Sequence, residues 1–151
     1  MPDETPLFIG EYEDIPVDNK GRLIVPAAIR RVLPTHVTSL VIARWFDGCL
    51  AGFDPTGWQQ VLQQIREGSH RGRVKRQIAR WVMGGAAETR IDRQGRLLVP
   101  RKLLDSSEIT DRATLSGVGN RIEIWNPERY TADMSDVGEN LEAFAEDLDI
   151  L

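Results

Sequence analysis

The sequence predicts a mixed fold, mainly β with short helices (α+β), built from two copies of one small unit. Three observations carry that prediction. First, Asp18-Asn19-Lys20-Gly21-Arg22-Leu23-Ile24-Val25-Pro26 returns 74 residues later as Asp92-Arg93-Gln94-Gly95-Arg96-Leu97-Leu98-Val99-Pro100, with six of nine positions identical. Second, the apolar runs around these segments are short, β-branched and bounded by glycine and proline, as strands are. Third, the 151 residues split into halves too small for either to bury a full core alone, so the copies are expected to pack together.

Each element of the unit follows from local rules. Residues 23–25 form a short strand just after a glycine turn. Gly21 and Gly95 stand where the backbone needs a positive φ or a close approach. Pro26 and Pro100 end the strand and suit the first turn of a helix. That helix is expected over residues 27–33, before Pro34, and over 101–104 in the second copy. Residues 39–46 and 49–53 read as a hairpin around Asp47-Gly48. Their counterparts are 114–118 and 121–125 around Gly119-Asn120. In the last strand Ile122 and Ile124 share one face, and Arg121 and Glu123 the other. Asp54-Pro55 and Asn126-Pro127 then open helices as a cap followed by proline. The offset here is 72, so the second copy is two residues shorter.

Between the copies, a helix over 55–67 places Trp58, Val61, Leu62 and Ile65 on one face. A second helix over 72–83 gathers Val74, Ile78, Trp81 and Val82 on one side and Arg73, Arg76 and Arg80 on the other. This pair reads as a linker hairpin. In the tail, Leu141, Phe144 and Leu148 recur at helical spacing among acids.

Charge narrows the function. The chain carries a net −4, 41% hydrophobic and 28% charged residues, a folding composition rather than a disordered one. Bulk charge argues against nucleic acid, but its distribution does not: residues 66–102 carry a net +8 and residues 133–151 a net −7. No run approaches the roughly 20 apolar residues of a membrane span. Met1-Pro2-Asp3-Glu4 lacks the basic and apolar stretches of an export signal, which points to the cytoplasm. The single cysteine, Cys49, reads as a buried structural thiol.

Motifs for catalysis are missing. His36 and His70 are the only histidines and belong to no metal-ligand spacing. Gly84-Gly85-Ala86-Ala87 lacks the lysine of a phosphate loop, and no nucleophile elbow is present. No catalytic residue, cofactor or metal is therefore expected. What remains is the pair of turns. Asp18 and Asp92 each precede an arginine by four residues, across a glycine. The arginines Arg22 and Arg96, with Lys20 and Arg93 beside them, have two readings. They lock the turns by pairing with Asp18 and Asp92, or they offer two like cations to the two equivalent strands of duplex DNA.

The layout resembles the MraZ family, bacterial regulators of the cell-division and cell-wall gene cluster, and the resemblance spans nearly the whole chain. It rests on the doubled Asp-x-x-x-Arg motif, Phe8-Ile9-Gly10, Phe46-Asp47-Gly48-Cys49-Leu50, Gly84-Gly85-Ala86-Ala87-Glu88, and Gly117-Val118-Gly119-Asn120-Arg121-Ile122-Glu123-Ile124-Trp125. The resemblance implies duplicated swapped-hairpin AbrB-like β-barrel units forming a pseudo-dimer. The units would span residues 8–58 and 84–130, with a helical linker over 59–83 and an acidic tail over 131–151. It implies sequence-specific binding of double-stranded DNA at short direct promoter repeats. It also implies transcriptional repression, a ring homo-oligomer near eight subunits, and association with the nucleoid. Arg22 and Arg96 take the family's DNA-contacting places, with Lys20 and Arg93 near phosphate. Asp18, Asp92, Gly21 and Gly95 are then turn-stabilising. Ile9 stands where a basic residue is common in the family. The alternative is a structural or protein-binding assembly module without specific DNA binding, for which the acidic tail and negative total charge speak.

Overall fold

The structure, a computed structural model, describes residues 6–148. The acidic opening at residues 1–4 and the last three residues of the 131–151 tail lie outside the described residues. In chain order the elements are β1 (Phe8–Pro16), β2 (Arg22–Ile24), α1 (Ala27–Arg30), β3 (Ser39–Arg44), β4 (Leu50–Phe53), α2 (Pro55–Glu67) and α3 (Gly72–Val82). The second half continues with β5 (Ala87–Arg90), β6 (Arg96–Leu98), α4 (Arg101–Ser106), β7 (Arg112–Gly119), β8 (Ile122–Trp125), α5 (Pro127–Met134) and α6 (Val137–Leu148). This is a mixed fold of duplicated sheet and helix units, consistent with the swapped-hairpin AbrB-like architecture.

The swap is visible in the pairing. A six-stranded sheet runs β1-β7-β8-β4-β3-β5, and a separate ribbon pairs β2 with β6. Exchanging β1–β4 for β5–β8 turns this order into its own reverse, so a pseudo-twofold axis passes between β4 and β8. Each opening strand leaves its own half: β1 pairs with β7, and β5 with β3. The halves are stitched again at the ribbon, where Val25 N donates to Gly95 O and Val99 N to Gly21 O, both at 2.9 Å. A three-residue strand such as β2 has no stability alone. It exists because the other half supplies its partner.

The core is shared in the same way. Leu23, Val25 and Ile29 of the first half pack with Leu97, Val99, Leu103 and Leu104 of the second, under Leu40, Ile42, Leu115, Ile122 and Ile124. A smaller cluster beneath α2 and α3 holds Ala43, Ala51, Phe53, Val61 and Val82, with Trp45 and Trp58 against it. Asp54 and Asn126 cap α2 and α5 as their sequence predicts: Asp54 Oδ1 accepts from Gly57 N at 2.9 Å, and Asn126 Oδ1 from Glu128 N at 2.8 Å. The arginine helix departs from its predicted apolar side. Ile78 and Val82 turn inward, whereas Val74 and Trp81 face solvent.

Cys49 is 2% exposed, and its Sγ lies 3.3 Å from Phe46 O. Burial, with the nearby Glu123 carboxylate, pushes its thiol up to about 12. The thiolate is the reactive form. Cys49 should therefore resist a thiol-modifying disulfide reagent at pH 8 in the folded protein and react promptly once denaturant is added. Prompt labelling of the native chain would contradict this packing.

Candidate functional site

Each copied segment folds into the same turn. Asp18 Oδ1 accepts from Lys20 N and from Arg22 N, both at 2.9 Å, and Oδ2 accepts from Arg22 Nε at 2.8 Å. In the second copy Asp92 Oδ1 accepts from Gln94 N and Arg96 N at 2.9 Å, and Oδ2 accepts from Arg96 Nε at 2.8 Å. Backbone bonds close both loops: Gly21 N to Asp18 O, and Gly95 N to Asp92 O, each at 2.9 Å. The glycines adopt φ of 89° and 81°. A short acceptor side chain at the first position and glycine at the fourth are what such a loop requires. The aspartate spends its acceptors on the turn and on one edge of the guanidinium. The bond to Nε leaves both terminal arginine nitrogens outside it, fixed in direction and about one-third exposed as side chains.

The ribbon brings the turns together. β2 and β6 are antiparallel with Arg22 opposite Leu98, Leu23 opposite Leu97, and Ile24 opposite Arg96. Strand alternation buries Leu23 and Leu97 and sends Arg22, Ile24, Arg96 and Leu98 to the outer face. That face is a two-by-two array of two arginines and two apolar side chains, related by the pseudo-twofold. Ile24 is 54% and Leu98 46% exposed. The sequence pattern placed these two residues only on a strand. Their repetition at equivalent positions beside an exposed arginine was the signal that marks them.

Of the further expected cations, Lys20 and Arg93 lie exposed on the two turns. They are not symmetry mates, because Lys20 corresponds to Gln94 and Arg93 to Asn19, so the turns differ in their second charge. Arg101 reaches across from α4, its Nη2 donating to Asn19 O at 3.2 Å. Arg73, Arg76 and Arg80 sit on α3, away from the ribbon. Beside the ribbon a cleft of about 460 Å³ lies between β1 and β2, lined by Tyr12, Ile15 and Leu23, with Asp18, Arg22 and Arg96 as its charged groups. Among the described residues, no three His, Cys, Asp or Glu side chains gather where they could hold a metal ion. No helix there is long and apolar enough to cross a membrane.

The turn has a measurable electrostatic signature. The Arg22 backbone N–H, opposed by desolvation and aided by the Arg22 side chain and the Lys20 N–H, holds the Asp18 carboxyl down at about 2. The Arg96 backbone N–H and the same kinds of partner lower Asp92 likewise. A depressed carboxyl pKa stabilises the fold above the unfolded value of about 3.9, and that stabilisation is lost as pH falls through the folded value. Carboxyl carbon NMR should therefore place the Asp18 midpoint near 2, with the turn intact through pH 4. A midpoint near 4 would mean that the turn is open in solution.

Similarity to known proteins follows the same duplication. The family model for MraZ protein, described as antitoxin-like, matches residues 7–81 and again 82–149. The transcriptional regulator MraZ of Roseiflexus castenholzii is 38% identical over 142 residues, covering 94% of this chain and 96% of that protein. Transcriptional regulators MraZ of Limosilactobacillus reuteri and Pediococcus pentosaceus are each 33% identical. The first covers 95% of this chain and 99% of its own length, the second 94% and 96%.

Proposed function

We propose, from the fact that this chain belongs to the MraZ family, that it is a transcriptional regulator of cell-division and cell-wall genes and not an enzyme. Its finer mode of action is a repressor's. It binds double-stranded DNA at short direct repeats in a promoter through the β2–β6 ribbon, as a pseudo-dimer of AbrB-like barrel units assembled into a ring. The observation that supports this reading is the pair of turns with the same hydrogen bonds, which hold Arg22 and Arg96 part-exposed on the outer face of one antiparallel ribbon.

Duplex DNA suits such an array. The major groove admits a two-stranded ribbon, arginine pairs bidentately with guanine, and apolar side chains rest on thymine methyls. Ile24 and Leu98 between the arginines provide that apolar contact, while Lys20 and Arg93 reach flanking phosphates. Because the basic surface is local, a net charge of −4 does not prevent binding. A multi-subunit ring engages several repeats at once, which turns each later contact into an intramolecular one. The reading needs no cofactor or metal, and it places the protein in the cytoplasm on the nucleoid.

The test is a fluorescence-anisotropy titration against a duplex carrying the promoter repeats beside a scrambled duplex, at several salt concentrations. Repeat-dependent affinity that falls steeply with salt is expected. Equal weak binding to both duplexes would remove the regulator reading and favour the assembly module, for which the exposed faces of α3 and α6 speak.

A further inference from the structure

The molecule carries two unpaired surfaces of opposite charge at corresponding places in its two halves. α2 and α3 follow β4, and α5 and α6 follow β8. β4 and β8 are adjacent and antiparallel, Leu50 facing Ile124 and Gly52 facing Ile122, so the chain enters α2 and α5 from opposite strand ends. α3 then returns to the hairpin after β3, the same hairpin that α5 meets where Arg129 Nη1 donates to Gly48 O at 3.1 Å. The pseudo-twofold makes the two helical pairs alike in order. The sequence makes them complementary.

α3 forms a groove of about 490 Å³ with the hairpin after β3. Its floor is apolar, from Phe46, Ile78 and Trp81, and its rim carries Arg44 and Arg80. The groove is built: Arg44 Nε donates to Trp81 O at 3.0 Å, its guanidinium lies 5.9 Å from the Trp81 ring, and the Phe46 and Trp81 rings stand 6.0 Å apart. Phe46 is nevertheless 54% exposed. α6 presents Leu141, Phe144 and Leu148 along one face, Phe144 at 58% exposure, flanked by Glu142 and Glu146. A twelve-residue helix is marginal in water without a partner for its apolar stripe.

We propose that the apolar, acid-flanked face of α6 docks into the arginine-rimmed α3 groove of a second copy of this chain. Charge complementarity selects the occupant: the only exposed apolar helix face with carboxylates beside it in the described residues is α6, and the groove that would receive it is rimmed by Arg44 and Arg80. Such a contact is heterologous, head to tail, and repeats until it closes into a ring. It deepens the assembly proposed above and rests on that part of the reading.

A heterologous contact has two different halves, and each can be disabled separately. The tail variant combines Leu141→Ser with Phe144→Ser; the groove variant combines Gln77→Glu with Arg80→Glu. Light scattering coupled to gel filtration on the full chain should show wild type as a multiple of the 17.0 kDa chain and each variant alone as monomer. Mixed one to one, the variants retain one good groove and one good tail between them. They should form a complex of twice the monomer mass and nothing larger. Circular dichroism and melting curves matching wild type exclude misfolding. Variants that assemble like wild type, or that fail to form the two-chain complex, overturn this contact alone. A wild type that stays monomeric at every concentration overturns the ring as well. Binding to a duplex with a single repeat is read in parallel, and its persistence in the monomeric variants shows the DNA reading standing by itself.

Discussion

Replacing Arg22 and Arg96 together with alanine lowers affinity for a repeat-bearing duplex by about 100-fold or more, and leaves the fold in place. The magnitude follows from the chemistry of the contact. A bidentate arginine–guanine pair contributes about 1–3 kcal/mol of discrimination, and the proposed binding mode makes two such pairs through one ribbon. The fold survives because these are half-open i,i+4 pairs, which contribute little stability. The turns also keep their backbone closures and the Asp18 and Asp92 bonds to Lys20 N and Gln94 N. Each single variant should lose roughly the square root of the double effect, since the pseudo-twofold makes the sites equivalent. A Lys20→Ala variant should instead weaken repeat and scrambled duplexes alike and reduce the salt slope by about one. Anisotropy titrations at three salt concentrations read all of these. Unchanged affinity in the double variant, with assembly intact, would remove the ribbon as the binding face.

Gly21→Ala costs about 2–4 kcal/mol of stability, and the repeat does not share that loss evenly. At Gly21 φ is 89°, and an added Cβ would lie 2.5 Å from Val99 O. That carbonyl is backbone of the opposite half, and Gly21 O accepts from Val99 N at 2.9 Å. The clash cannot be relieved without separating the halves at their crossing point. Gly95 has φ of 81°, but its added Cβ would meet the Arg30 guanidinium at 2.8 Å, the far end of a flexible side chain. Gly95→Ala then costs mainly the positive φ and the Arg30 Nε bond to Val25 O, about 1–2 kcal/mol. Gly119→Ala is the control: φ is 92° with open space around it, so about 1 kcal/mol is expected. Urea melts of the three variants should rank Gly21 well above Gly95, with Gly119 least. Equal losses at Gly21 and Gly95 would mean that the halves do not cross as described.

Much of the site was legible because it is local. An aspartate, a glycine and an arginine within five residues close a turn by their own hydrogen bonds, and the second copy repeats the statement. The cap-and-proline starts of α2 and α5 were legible for the same reason. β1 was not. Its sequence, Phe-Ile-Gly-Glu-Tyr-Glu-Asp-Ile-Pro, has three acids, a glycine and a bulge between Tyr12 and Ile15, so no alternation survives. It is a strand because β7, a hundred residues away, supplies its backbone partners. The exposure of Val74 and Trp81 was hidden likewise: helical spacing places them on one side with Ile78, but only the packed sheet fixes how far that side turns inward.

The sequence by itself determined the duplication, the two turns with their arginines, the cap positions and the division of charge between middle and tail. These are properties of segments, set by hydrogen bonds and dihedral preferences within a few residues. Tertiary structure decided which strands pair, that Leu23 and Leu97 lie under the ribbon while Ile24 and Leu98 lie above it, and that α3 closes a groove with the hairpin after β3. Each of those depends on partners distant in the chain. Two short strands with no stability of their own become ordered only when each half closes the core of the other.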